Sequence, residues 1–111
     1  MKELTREQFE RIKEETSKIG GCTFENFEVV HYSSGYQVAT TNKTIEAVTD
    51  SQLFEALKAT DGNGGTWVNN GVVYVDKSYF ESDLQKALIA GKKYNQISVW
   101  NWSAMDEIKV K

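Results

Sequence analysis

The sequence predicts an α+β fold in a single domain over residues 1–111, with helices packed on an antiparallel or mixed sheet. Three helix-start signals and two β-hairpin patterns alternate along the chain, giving the predicted order α-β-β-α-β-β-α-β. The composition agrees, since 40% of the residues are hydrophobic and 26% are charged, which is ordinary for globular proteins. A length of 111 residues suits one hydrophobic core rather than two.

The first helix is predicted to begin after Thr5, because Thr5 and Gln8 have the spacing of a capping box. Leu4 and Phe9 occupy the flanking positions of a hydrophobic staple. The side chains at helical spacing form a narrow apolar stripe: Phe9, Ile12, Thr16 and Ile19. The pair Gly20-Gly21 is expected to end the helix.

Residues 24–41 predict the first β-hairpin. A three-residue loop closing at Gly35 would place one apolar set on a common face, namely Val30, Tyr32, Tyr36 and Val38. His31 would then point to the opposite face.

A second helix is predicted after Thr49, where Thr49 and Gln52 form another capping box with Val48 and Leu53 as the staple. Its buried face is expected to hold Leu53, Phe54, Ala56 and Leu57. The glycine-rich segment 61–65 then predicts a flexible turn.

The strongest strand signal surrounds Asn70-Gly71, a pair typical of a type I′ turn. This turn sets Val68 against Val73 and Trp67 against Tyr74. One face of the hairpin is therefore aliphatic and the other aromatic.

A third helix is predicted over about residues 82–94, starting at a Ser82–Gln85 capping box. Its apolar stripe consists of Leu84, Ala87, Leu88 and Gly91. A last strand over 96–102 would carry Trp100 and Trp102 on one face, and residues 106–111 are a candidate for a short edge strand.

Residue counts exclude several kinds of site. One Cys, one His and no Pro allow neither a disulfide within the chain nor a structural zinc site of Cys and His. The segment starting at Asp61 resembles part of a calcium loop, but Asn70 stands where the loop needs its last carboxylate. Cys22 and His31 have no spacing typical of a catalytic pair. We therefore expect no metal, no cofactor and no enzymatic activity.

The net charge of −3 is unevenly distributed. Residues 21–83 hold nine acidic and three basic side chains, whereas residues 84–111 hold two acidic and five basic ones. This balance argues against direct, sequence-specific nucleic-acid binding. It fits either a surface that docks on a basic partner or a merely solvated acidic surface. The absence of a long apolar run argues against membrane contact, and a lone Cys suits a reducing, cytoplasmic location.

The aromatic side chains supply the candidate site. Strand parity places four of them opposite the aliphatic positions, where they could form a partner-binding platform: Trp67, Tyr74, Trp100 and Trp102. Three acidic residues are expected to form its rim, namely Asp76, Glu81 and Asp83. In the alternative interpretation, the N-terminal helix covers this aromatic face as a second core layer.

The motifs in residues 66–108 also carry a resemblance. They comprise Trp67-Val68, Gly71-x-Val73-Tyr74-Val75-Asp76-x-Ser78, Ala87, Gly91, Asn95-Gln96 and Val99-Trp100-Asn101. This pattern resembles small uncharacterised proteins encoded by bacteriophages and mobile elements, although those commonly have an acidic residue at the position of Asn101. The resemblance implies an accessory protein in the cytoplasm of a bacterial host, a context in which acidic single-domain proteins often inhibit host defence, the anti-CRISPR class among them.

These observations lead to one expectation and one alternative, beside a third hypothesis of an enzyme that uses Cys22 or His31. We expect a non-enzymatic inhibitor that contacts a bacterial host protein or nucleoprotein complex through the aromatic platform, with a homodimer left open. The alternative is a small-ligand or nucleotide-binding protein, in which the aromatic face stacks a base while Lys92 or Lys93 meets a phosphate.

Overall fold

The structure, a computed structural model, describes residues 3–41 and 44–110. This part of the chain forms three helices and eight strands, and every strand pair is antiparallel, so the predicted α+β class is confirmed. The helices are α1 (Arg6–Ile19), α2 (Asp50–Lys58) and α3 (Leu84–Lys93). The strands are β1 (Gly21–Glu25), β2 (Glu28–Val29), β3 (Tyr36–Ala39), β4 (Ile45–Ala47), β5 (Gly64–Asn69), β6 (Val72–Glu81), β7 (Ser98–Asn101) and β8 (Asp106–Lys109).

The described chain divides into two compact units. Unit 1 holds residues 3–30 and 44–77, and unit 2 holds residues 31–41 and 78–110. Strand β6 contributes its first six residues to unit 1 and its last four to unit 2. The single domain expected for residues 1–111 stays a prediction.

Both predicted capping boxes of unit 1 are present. The Thr5 hydroxyl accepts from the Gln8 amide at 3.1 Å, and the Gln8 side chain accepts from the Thr5 amide at 3.0 Å. Thr49 and Gln52 repeat this arrangement at the start of α2. Gly20 ends α1 with a positive φ of 86°, a conformation that glycine adopts without a steric penalty.

The core of unit 1 lies between α1, α2 and one face of its sheet. The strands follow the order β2-β1-β5-β6, and β4 pairs with β6. The buried set combines helix and strand residues: Leu4, Phe9, Ile12, Cys22, Phe24, Phe27, Ala47, Leu53, Ala56, Leu57 and Val75. Because Cys22, Phe24 and Val75 alternate with residues of the other face, both helices cover the same side of the sheet.

Three details of the predicted helices are wrong. Ile19 does not join the apolar stripe of α1 and exposes 62% of its surface, whereas Phe9, Ile12 and Thr16 are buried. Val48 exposes 66%, so the predicted staple with buried Leu53 is absent. Helix α3 begins at Leu84, and its N-cap is Asp83 rather than Ser82.

The first predicted hairpin is also wrong. Strand β1 starts directly after α1 and turns at Asn26-Phe27, whose φ angles of 51° and 62° bring β2 back beside β1. The Phe27 side chain is buried in unit 1, which offsets the strain of a positive φ at an aromatic residue. Strand β3 pairs with β6 and β7 instead, within unit 2. The predicted turn over 61–65 is shorter than expected, because Gly64 and Gly65 already belong to β5.

The second predicted hairpin is confirmed in its register. Trp67 pairs with Tyr74, Val68 with Val73, and Asn69 with Val72. The turn residues Asn70 and Gly71 both have positive φ angles, as a type I′ turn requires.

Unit 2 packs α3 on one face of a sheet formed by β6 (residues 78–81), β3, β7 and β8. One cluster of buried apolar residues consists of Val38, Ala87, Ala90 and Val99, and Trp102 is buried as well. A Cβ on Gly91 would lie only 2.8 Å from a methyl group of Val110, so α3 approaches the sheet closely because this position has no side chain. Strand β8 confirms the edge strand at the C-terminal end, and Lys111 lies outside the described residues.

Candidate binding face of unit 1

The candidate site lies on the sheet face of unit 1 opposite α1 and α2. Strand register places seven of its residues in two adjoining rows, Gly21–Trp67–Tyr74–Glu46 and Thr23–Gly65–Asp76. We call this surface the Trp67 face. The alternative in which the N-terminal helix covers these aromatics is wrong for Trp67 and Tyr74, because α1 packs on the opposite face through Phe9 and Ile12.

Trp67 and Tyr74 form a parallel stack in the middle of the face. Their ring centroids are 4.2 Å apart and the rings are inclined by 15°. Such cross-strand aromatic pairs stabilise a hairpin by roughly 0.5–1.5 kcal/mol beyond the area they bury. Trp67 nevertheless exposes 42% of its surface, so the stack leaves a large aromatic side chain accessible.

Glu46 of β4 pairs with Tyr74 and lies on the side of this ring that faces away from Trp67. The pKa of Tyr74 is raised by its partial burial, by the negative charge of Glu46 and by a hydrogen bond with the Glu46 side chain. In that bond the phenol donates and the carboxylate accepts. The row therefore ends in a carboxylate that is held in place by Tyr74.

Asp76 lies in the adjoining row, directly opposite Gly65. Its carboxylate accepts a hydrogen bond from the Gly65 N–H, which favours the charged form, but burial has the larger effect and raises the pKa to about 6. The side chain is thus ionised at neutral pH at an energetic cost, and a cation placed beside it would reduce that cost.

The electrostatic character of this region is negative. The described residues of unit 1 hold twelve Asp or Glu against six Lys or Arg, a net charge of −6, whereas those of unit 2 hold four of each. Among the described strand residues, the register places four carboxylates on the Trp67 side of the sheet, those of Glu25, Glu28, Glu46 and Asp76, and no Lys or Arg.

The other predicted aromatics belong to unit 2 and have a different role. Trp102 exposes only 6% of its surface and contacts Tyr32 edge-on at a centroid distance of 5.6 Å. Its indole donates to Gln37 at 3.4 Å, and Tyr32 in turn stacks on Phe80. Trp102 is therefore a core residue rather than a contact residue. Trp100 meets it edge-on and is half-buried.

The remaining predicted rim residues, Glu81 and Asp83, serve the start of α3. Asp83 accepts from the backbone amides of Gln85 and Lys86 at 2.8 and 3.2 Å. The Glu81 carboxylate accepts from the Asp83 amide at 3.0 Å. These bonds satisfy amides at a helix N-terminus that have no partner within the helix, so both carboxylates have a structural function.

The sequence does not predict Glu46, Gly21 or Gly65 as members of the Trp67 face. Glu46 lies on β4, a three-residue strand too short to give a recognisable alternation pattern. The sequence predicts a helix end at Gly21 and a turn at Gly65, but both are strand residues. The sequence offers one signal for the two glycines, because a glycine within a strand can mark a close approach of another backbone. This signal can be interpreted only once the strand pairing is known.

Cys22 is buried in the core of unit 1, and His31 belongs to unit 2. Burial raises the pKa of the Cys22 thiol to about 12, and the nearby Glu15 carboxylate adds to this effect. Within residues 3–41 and 44–110, no group of three His, Cys, Asp or Glu side chains is placed to hold a metal ion. None of the helices described is long and apolar enough to cross a membrane.

The chain was compared with known protein families, curated proteins and solved structures, and none of the three comparisons finds a match.

Proposed function

We propose that this chain is a non-enzymatic binding protein that inhibits a bacterial defence or host factor by steric or charge-mimicking contact. The observation that supports it best is the Trp67 face, where an exposed indole lies among described strand residues that carry carboxylates and no Lys or Arg. Aromatic side chains contribute much of the binding energy at protein interfaces. Complementary charge adds speed and selectivity of association, so the partner is expected to present a basic surface.

The biological context of the proposal comes from the resemblance over residues 66–108 to proteins of bacteriophages and mobile elements. The resemblance implies a location in the cytoplasm of a bacterial host and a partner that is a host protein or nucleoprotein complex. A basic groove that normally binds nucleic acid would suit an acidic inhibitor of the anti-CRISPR type, because the carboxylates would occupy positions meant for phosphates.

Phage infection provides the test. Bacterial strains carrying CRISPR or restriction systems would express the chain, and the efficiency of plating of a targeted phage would be measured. We expect the wild type to restore plating on at least one strain, and Trp67→Ala to lose this effect at equal protein abundance.

Ile89→Ala is the matched control, since it removes an exposed apolar side chain from α3 of unit 2, an element that contributes no residue to the Trp67 face. It should behave as the wild type. The proposal fails if the wild type restores plating on none of the strains, or if Trp67→Ala is as active as Ile89→Ala.

A second candidate function is the binding of a small planar ligand or a nucleotide, and the exposed ring of Trp67 favours it. The carboxylates of the Trp67 face disfavour a phosphate there, while Lys92 and Lys93 are exposed on α3 of unit 2. Thermal unfolding with added nucleotides separates the candidates. A bound nucleotide at 100 times its Kd should stabilise the chain by about 2.7 kcal/mol, whereas a protein-only binder should show no shift.

A further inference from the structure

The Trp67 indole uses only one of its two ring faces for the contact with Tyr74. A centroid distance of 4.2 Å and an inclination of 15° describe a face-to-face stack, so the second ring face points along the row toward β1. The residue paired with Trp67 on β1 is Gly21. Because glycine has no side chain, the second ring face borders a strip of bare backbone.

The floor of this strip is formed by two glycines. A Cβ on Gly21 would have the Thr66 carbonyl oxygen at 2.9 Å and the Cα and Cβ of Trp67 at 3.9 Å as its nearest neighbours. A Cβ on Gly65 would have only the Cys22 carbonyl oxygen, at 3.2 Å, and an Asp76 carboxylate oxygen, at 3.6 Å, within 4 Å among the residues that the structure describes. Larger residues at either position would fill the strip and crowd the adjacent strand.

Asp76 borders the same strip. It pairs with Gly65 and is the diagonal neighbour of Trp67 across the β5–β6 pair, a relationship that separates residues by about 7–8 Å. Its carboxylate lies over Gly65, where it accepts the Gly65 N–H. An aromatic ring face and a partly buried carboxylate therefore meet above two glycines, with Thr23 beside Gly65 on the same face.

This combination suits one side chain better than any other. An arginine guanidinium is planar and positively charged, stacks on aromatic faces, and can donate two parallel hydrogen bonds to a carboxylate. A lysine ammonium has no plane to stack, and a neutral planar group leaves the carboxylate without a cation. The charge of −6 on the described part of unit 1 favours a basic partner over an acidic one.

We propose that the Trp67 face binds an arginine side chain of a basic partner protein, with the guanidinium stacked on Trp67 above Gly21 and hydrogen-bonded to Asp76. This inference rests on the proposed protein-binding function and names the group that the partner supplies.

The test uses three short peptides as probes, acetyl-Gly-Arg-Gly-amide and its lysine and citrulline counterparts, added to the ¹⁵N-labelled full chain. The indole N–H signal of Trp67 is assigned by its loss in Trp67→Phe. We expect the arginine peptide to shift this signal and the Gly21 and Gly65 amides. The lysine peptide should bind several-fold more weakly, and the citrulline peptide, which keeps the plane without the charge, should cause no shift.

Asp76→Asn should weaken binding of the arginine peptide about tenfold, a change of 1.4 kcal/mol, and it keeps an acceptor for the Gly65 N–H. Asp106→Asn, at an exposed carboxylate of unit 2, should have no effect. Equal shifts with arginine and citrulline, no shift with any peptide, or an unchanged affinity in Asp76→Asn would each overturn the inference. Because the probes contain no host partner, this result is independent of the infection assay, and either proposal can fail alone.

Discussion

Thr16 of α1 and Thr66 of β5 are buried and joined by a hydrogen bond of 2.5 Å between their hydroxyl oxygens. Thr16 also donates to the Ile12 carbonyl at 2.7 Å. A hydroxyl has one proton to give, so Thr66 must be the donor in the shared bond. This bond ties the first helix to the central hairpin strand through the middle of the unit 1 core.

The direction of that bond predicts unequal effects of two similar substitutions. Thr16→Val removes the acceptor and leaves the buried Thr66 hydroxyl without its partner, which should cost about 1–3 kcal/mol in the free energy of unfolding. Thr66→Val removes only the donor, and Thr16 keeps its bond to Ile12, so the cost should stay below about 1 kcal/mol.

The double variant Thr16→Val/Thr66→Val completes the cycle and should be more stable than Thr16→Val alone, because it contains no unsatisfied hydroxyl. Urea unfolding of the four proteins measures these differences. Equal costs for the two single changes, or strictly additive costs in the double variant, would contradict the assigned donor.

Asp76 predicts a pH dependence of stability. Its pKa is about 6 in the folded chain, against an ordinary value of 3.8, so between pH 4 and pH 6 the folded state holds a proton that the unfolded state has released. Its contribution to the free energy of unfolding therefore falls as the pH rises through this window and stays low above pH 6. The shift of about two pKa units corresponds to about 2–3 kcal/mol.

Asp76→Asn should remove this dependence and stabilise the chain at pH 7.5, because no charge is then buried. Urea unfolding of both proteins at pH 4 and pH 7.5 isolates the effect of Asp76, because the wild type and the variant have all other carboxylates in common. Parallel pH profiles of the wild type and the variant would show that Asp76 is not the group responsible.

Local signals explain why some elements could be predicted from the sequence and others could not. The Asn70-Gly71 turn restricts its backbone to one turn type, which fixes the pairing of Trp67 with Tyr74 without any distant information. The capping boxes at Thr5 and Thr49 are equally local. In contrast, Phe27 turns β1 back on itself with a positive φ, a conformation that only burial of its ring in the core explains.

The residues of the candidate site also divide into those that local signals predict and those that distant pairings bring in. Trp67, Tyr74 and Asp76 share a face by strand parity, which is readable from the hairpin alone. Gly21 joins this face through its pairing with Trp67, and Glu46 joins it through its pairing with Tyr74. The paired residues are 40 or more positions apart in the first strand pair and 20 or more in the second, so the sequence has no local signal for either pairing. Burial of Trp102 depends on Tyr32, which lies outside any strand.

The Cys22 thiol is predicted to be unreactive in the folded chain. It is buried, and a pKa of about 12 leaves a very small thiolate fraction at pH 8. Reaction with a disulfide reagent such as 5,5′-dithiobis(2-nitrobenzoate) should be slow in buffer and rapid in urea. Complete reaction of the folded protein at the rate of the unfolded one would contradict the buried position.

The two tryptophans at opposite extremes of exposure predict a clear contrast in stability. Trp102→Ala removes a buried indole that contacts Tyr32 and bonds to Gln37, and it should cost about 3–5 kcal/mol. Trp67→Ala removes a half-exposed ring whose main contact is Tyr74, and it should cost only about 1 kcal/mol. Urea unfolding followed by far-ultraviolet circular dichroism compares the two without relying on the deleted fluorophores. If Trp67→Ala were as destabilising as Trp102→Ala, the Trp67 stack would be part of the core. The binding proposals depend on an exposed indole, so they would then have to be abandoned.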